Sequence, residues 1–234
     1  MLENKGIMKK GVVQNAGAFL RKLLIVSFLC FTLPAVAQIP AAAQDDIVPA
    51  GWRSGGWEFF EVNHDFGGSP FFGTFYFEHD NLQYRYFDCW YTRTTLGVKL
   101  LPWLKADVAY DYLQEPSYHT HKLLLDLTGT LKQGTLKVSV RERYVHSWTP
   151  ALGTKGNLLR SRLKVQYAIP ESRFSPYLAV EVFTWGDTWK RTRHYVALDY
   201  DITSWMQFEA YYLYYAHNGL PAQHIMGIGV NFYL

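Results

Sequence analysis

From Trp57 to the C-terminus the chain alternates apolar and polar residues with a period of two, in ten or eleven segments of about 9–12 residues. Side chains on a strand point alternately to its two faces, so each segment carries one apolar and one polar side. In 160–167, Arg160, Arg162, Lys164 and Gln166 face one way, and Leu159, Ser161, Leu163, Val165 and Tyr167 the other. In 104–112, Lys105, Asp107 and Asp111 oppose Leu104, Ala106, Val108, Tyr110 and Tyr112. In 190–200, Arg191, Arg193, Tyr195 and Asp199 oppose Val196, Leu198 and Tyr200. Past the N-terminus no run of about 20 apolar residues exists, which excludes a helical membrane bundle. The chain is 17% aromatic, which excludes disorder.

Two architectures carry this alternation. A soluble sandwich buries the apolar face in one core; a membrane barrel turns it to lipid and keeps a polar lumen. The strand length matches a tilted spanning strand. Tyr110, Tyr112, Tyr144, Tyr167, Trp185, Trp189, Tyr200, Trp205, Tyr214 and Tyr215 stand near segment ends, as in an interfacial girdle. Short connections (101–103, 132–134, 170–173, 201–204) alternate with longer ones (114–120, 147–156, 218–223), against which the short 186–188 stands out. These features favour the barrel, and the sandwich is the competing fold.

The N-terminus reads as an export signal. Lys9, Lys10, Arg21 and Lys22 precede the apolar run from Leu23, and Ala35-Val36-Ala37 supplies a small-x-small cleavage site. Residues 1–37 are therefore expected to be a cleaved signal peptide, 38–56 an N-terminal periplasmic segment and 57–234 the barrel. Only 18% of the chain is charged, and the basic excess behind its formal charge of +3 resides in this leader, where Lys5, Lys9, Lys10, Arg21 and Lys22 stand against Glu3. The remainder lacks the basic surplus of a nucleic-acid binder. Cys89 would be the one cysteine left after cleavage, so no internal disulfide is expected.

The C-terminal Gly229-Val-Asn-Phe232-Tyr-Leu234 resembles the targeting signal that barrels present to the assembly machinery, with Leu in place of the usual final Phe. Trp57, the Arg-rich pair of strands at 137–166, Pro176-Tyr177-Leu-Ala-Val-Glu181, the Arg191/Arg193 strand and the Tyr-rich 208–215 resemble the domain-of-unknown-function family 2490. The resemblance covers about 55–234. It implies a barrel in the outer membrane of a Gram-negative bacterium, in contact with outer-membrane lipid, and no particular activity.

With the C-terminus on the periplasmic side, ten strands count back to 71–80, and the segment 57–64 is left over. It either packs beneath or inside the barrel, or a further strand in 46–56 makes twelve. An all-β transmembrane antiparallel barrel of ten to twelve strands is expected, with an even number favoured.

With the apolar face outward, Arg93, Lys105, Lys122, Lys137, Lys164 and six further arginines point into the lumen, against Glu78, Asp107, Asp111, Asp126, Glu181, Asp199 and Glu209. The arginines Arg141, Arg143, Arg160, Arg162, Arg191 and Arg193 gather on three segments around Glu181. Guanidinium groups bind carboxylate and phosphate in bidentate fashion, so the set fits a narrow channel for a small anionic solute. An ion-pair ladder, with Arg162 or Arg193 on Glu181 and Lys105 on nearby acids, explains the same charges. Glu142 faces lipid by parity, which calls for a rim position or a bulge.

An outer-membrane enzyme acting on lipid or surface polymer is the alternative. Its candidate residues are His119, His121, His146, Ser147, Asp187, His194, His217 and His224. No nucleophile elbow or zinc-helix motif surrounds them, and His119-Thr-His121 alone is a weak metal signal. No cofactor, metal or catalytic set is expected.

Overall fold

The structure, a computed structural model, describes residues 54–234 apart from 83, 85, 186 and 187. The expected signal peptide and all of 38–56 except the last three residues lie outside this range. Eleven strands form one closed barrel. They are β1 (Ser54–Asp65), β2 (Phe71–Leu82), β3 (Tyr86–Leu101), β4 (Leu104–Gln114), β5 (His119–Gln133) and β6 (Leu136–Thr149). After a short 3-10 turn at Pro150–Leu152 follow β7 (Thr154–Tyr167), β8 (Phe174–Trp185), β9 (Thr188–Asp201), β10 (Met206–His217) and β11 (Leu220–Tyr233).

Consecutive strands pair antiparallel, and closure comes from a parallel pair, β1 with β11, in register from Ser54↔His224 to Asn63↔Tyr233. The count of eleven lies within the expected range but is odd. The leftover segment is neither inside nor beneath the barrel. It is a wall strand running the same way as β11, and parallel pairing is what admits it. Closure leaves no sheet edge, so the wall satisfies its backbone hydrogen bonds internally, as lipid requires.

We call the rim where β1 begins the upper rim; it carries the connections 115–118, 150–153 and 218–219. The lower rim carries 66–70, 102–103, 134–135, 168–173 and 202–205, and the C-terminus. The connections at the two rims are of similar length, contrary to the expected alternation. The strands extend further into the upper connections than the sequence suggests; β11 begins at Leu220, leaving Asn218-Gly219 as a tight turn. Gly219 has φ +79°, a left-handed conformation that glycine adopts without strain.

The faces are those of a barrel in lipid, not of a soluble sandwich. Leu178 is 60% exposed and Val196 58%, with Leu96, Leu125, Met226 and Ile228 all above half. Leaving such side chains in water would forgo about 1.5–3 kcal/mol each. Asp111, Asp126, Arg143, Glu181 and Asp199 are buried inside.

The outer face near the upper rim is aromatic. Phe77 stacks on Trp90, Trp90 packs on Tyr112, Tyr112 stacks on His119, and His121 stacks on Trp148. Two histidines hydrogen-bond within this belt: His121 Nδ1 meets the Tyr110 hydroxyl at 2.6 Å, and His224 Nδ1 that of Tyr212 at 2.5 Å. Two expected girdle residues point the other way. Trp185 and Tyr215 share the parity of Glu181 and Arg193, and both line the interior.

Glu142 does face outward, but neither expected explanation holds. It sits mid-strand, in a β6–β7 register that runs unbroken from Leu136↔Tyr167 to Thr149↔Thr154. It is only 4% exposed, and the Ser161 hydroxyl directly across donates to its Oε2 at 2.7 Å.

A candidate anion site in a charged vestibule

Period-two geometry places every sequence-assigned arginine in the lumen, and the strand pairing decides which ones meet. Glu181, 1% exposed, is the hub. Its Oε1 accepts from Arg141 Nη2 at 2.8 Å and its Oε2 from Arg160 Nη2 at 2.9 Å, while Arg193 Nη1 stands 3.9 Å away. Arg162 lies directly across from Glu181 in register, yet its guanidinium turns over the Tyr195 ring, 5.0 Å from the centroid. Of the two expected partners, Arg193 keeps an ion pair with Glu181 at 3.9 Å and Arg162 does not; Arg141 and Arg160, with long side chains that reach diagonally, make the hydrogen bonds. Lys105 packs over the Phe72 ring at 4.9 Å instead of on an acid.

Arg143 is held elsewhere, with Nε donating to Asp126 Oδ1 at 2.7 Å. Arg93 grips Asp111 in bidentate fashion, 2.7 Å for each bond. The expected ladder is therefore real for Arg93, Arg141, Arg143 and Arg160. Arg191 and Arg193 are different: they lie against rings. Arg191 is 4.7 Å from the Phe183 centroid and 5.3 Å from that of Trp185. Arg193 is 4.8 Å from Trp57 and 4.5 Å from Tyr215. Stacking on a ring engages the face of a guanidinium, not its edge.

These groups line a cavity of about 540 Å³ that reaches from upper-rim residues such as Tyr118, Leu152 and Lys155 down to Arg93, Arg160 and Phe183. The layer of Glu181, Arg141, Arg162 and Tyr195 is not part of its lining. The charges are sorted by side in large part, with Arg93 on β3 tied to Asp111 and Lys122 on β5 as the exceptions. Glu78, Asp80, Asp88 and Asp111 come from β2, β3 and β4, and Arg160, Arg191 and Arg193 from β7 and β9. The sequence reading recovered the basic side. It missed Asp80, although Asp80 shares the parity of Glu78, and it missed Asp88, which a bulge turns inward.

Of the residues weighed for catalysis, Ser147 and His217 line the cavity, and His119, His121, His146, His194 and His224 do not. Ser147 Oγ donates to the Gly156 carbonyl at 3.3 Å, and His146 Nδ1 meets Asn157 Oδ1 at 2.6 Å. His194 meets Thr192 on the outer wall at 3.1 Å, and Asp187 lies outside the described residues.

This constellation belongs to a β-barrel with a charged, partly filled interior. The family model described as "Protein of unknown function (DUF2490)" matches residues 55–223, and the chain belongs to that family. Two solved structures are similar. One is the KdgM porin, at 14% identity over 73% of this chain and 87% of that one, with a TM-score of 0.46. The other is the NanC porin, at 16% identity over 74% and 97%, with a TM-score of 0.47. No curated protein matches the chain. The barrel reading rests on this chain's own strand pairing and faces.

Proposed function

We propose that this protein is a non-catalytic outer-membrane barrel whose vestibule binds small anions and admits them to a narrow channel. The observation that carries the reading is the arginine wall. One buried carboxylate, Glu181, is shared by Arg141 and Arg160 and stands 3.9 Å from Arg193, so one negative charge answers three guanidinium groups. The Nε atoms of Arg160 and Arg193 are buried and have no hydrogen-bond partner among the described residues. An entering oxyanion supplies the missing acceptor, and a water-poor lumen strengthens its attraction to the cations. Export by the N-terminal signal and insertion through the C-terminal strand in a Gram-negative cell complete the reading. The apolar belt supports it, and Phe232 and Leu234 add to that belt.

Flux into proteoliposomes tests it. An anionic solute is expected to enter faster than a neutral one of equal size. Replacing Arg191 and Arg193 together with Gln is expected to cut anion entry about tenfold, equivalent to ~1.4 kcal/mol, and to leave neutral entry unchanged. Equal loss for both solutes would overturn the anion reading.

A further inference from the structure

The acidic wall of the vestibule holds a second site. We propose that Asp80, Asp88 and Cys89 bind a divalent transition-metal ion of zinc-like character, a role the sequence reading did not foresee. Asp80 pairs with Cys89 and Asn81 with Phe87, so the register shifts and Asp88 becomes the inserted residue of a bulge. Trp90, two residues on, faces outward, so strict alternation would turn Asp88 outward as well, yet Asp88 lines the cavity beside Cys89. A bulge re-aims a side chain in this way, and bulges concentrate at functional positions. One ligand atom from each of Asp80, Asp88 and Cys89 lies within 4.8 Å of the others.

A second observation points to a ligand. Asp80 is 7% exposed, and its Oδ1 is buried with no hydrogen-bond partner among the described residues. Its Oδ2 accepts from Cys89 Sγ, inside the cluster, at 3.4 Å. A buried carboxylate oxygen without a partner is costly and is the exception in folded proteins. A cation at this point would satisfy it.

The geometry fits. A zinc ion with bonds of about 2.3 Å to sulfur and about 2.0 Å to oxygen sets tetrahedral ligands about 3.5 Å apart. The Cys89 Sγ to Asp80 Oδ2 separation is 3.4 Å. Two carboxylates and a thiolate suit a borderline-soft ion better than magnesium or calcium, which take oxygen alone. Binding displaces the thiol proton to solvent. The three protein ligands leave the fourth position facing the cavity.

Cobalt(II) is the probe, added to the refolded full barrel with its thiol reduced. One equivalent is expected to give a thiolate-to-cobalt charge-transfer band that zinc abolishes. Cys89→Ser should remove the band and Asp80→Asn weaken affinity at least tenfold, with far-ultraviolet circular dichroism showing the barrel intact. A wild-type readout covers variants that fail to fold: zinc should slow reaction of Cys89 with a thiol reagent at least tenfold. Absence of the band, its persistence in Cys89→Ser, or an unchanged thiol reaction rate with zinc would each overturn the proposal.

Discussion

At the scale of single residues, the lumen is held by buried carboxylates paired with cations, and Glu181 answers three, Arg141, Arg160 and Arg193, while Asp111 and Asp126 each hold one arginine. Removing the Glu181 charge leaves Arg141 and Arg160 buried without their acceptor. Breaking a buried pair on one side typically costs about 3–5 kcal/mol. Glu181→Gln should therefore lower the denaturant midpoint of the barrel in micelles, and Glu209→Gln, on a different hydrogen bond, should lower it less. Equal loss in both would show that Glu181 is not a hub. Parity made the inward charges readable, because a strand offers a side chain only two directions. It could not say which arginine Glu181 holds, since that depends on long side chains reaching diagonally past the directly opposed Arg162. Nor could it anticipate Glu142, which stays on the outer face because Ser161 lies across from it.

At the scale of elements, glycines in the wall have a packing role. A Cβ on Gly227 would collide with the Tyr211 ring, one on Gly229 with Phe59, and one on Gly97 with Phe72. Rings lie flat over a bare backbone on the lumen side and fill the interior there. Gly227→Ala should destabilise by about 1–3 kcal/mol, as overpacking does, read as a lower melting temperature; an unchanged melt would mean the ring simply moves aside. The strand bounds were largely visible from the alternation, and most observed limits lie within a few residues of those read from it. The parallel seam was not visible. Trp57-Glu58-Phe59-Phe60 is a strand by composition, but nothing in it reports the direction of its neighbour. Phe60 and Val230 face each other across the seam. Cysteines at these two positions, with Cys89→Ser as background, should cross-link on oxidation in the folded barrel. Cross-linking of Val230 to Phe77 on β2 instead would remove β1 from the wall.

At the scale of the molecule, an apolar belt outside and sorted charges inside define one device. The outer surface sets where the barrel can reside, and the cavity sets what can enter it. The belt follows from the alternation and was legible before any coordinates. The vestibule was legible only in part, because it is built from both sides of a closed wall and one side depends on a bulge. Under the proposed channel function, the filled layer beneath it, with Arg141, Arg162, Glu181 and Tyr195, is the narrowing a solute would pass, and its arginines are the feature that would favour anions there.

The reversal potential of the purified barrel across a planar bilayer, in a salt gradient of an unbuffered chloride, tests this most directly. The account predicts discrete conductance steps with a potential of anion-selective sign, which shifts toward zero when Arg160, Arg191 and Arg193 are each replaced by Gln. A cation-selective potential, or no conductance from a barrel shown to be folded and inserted, would contradict it.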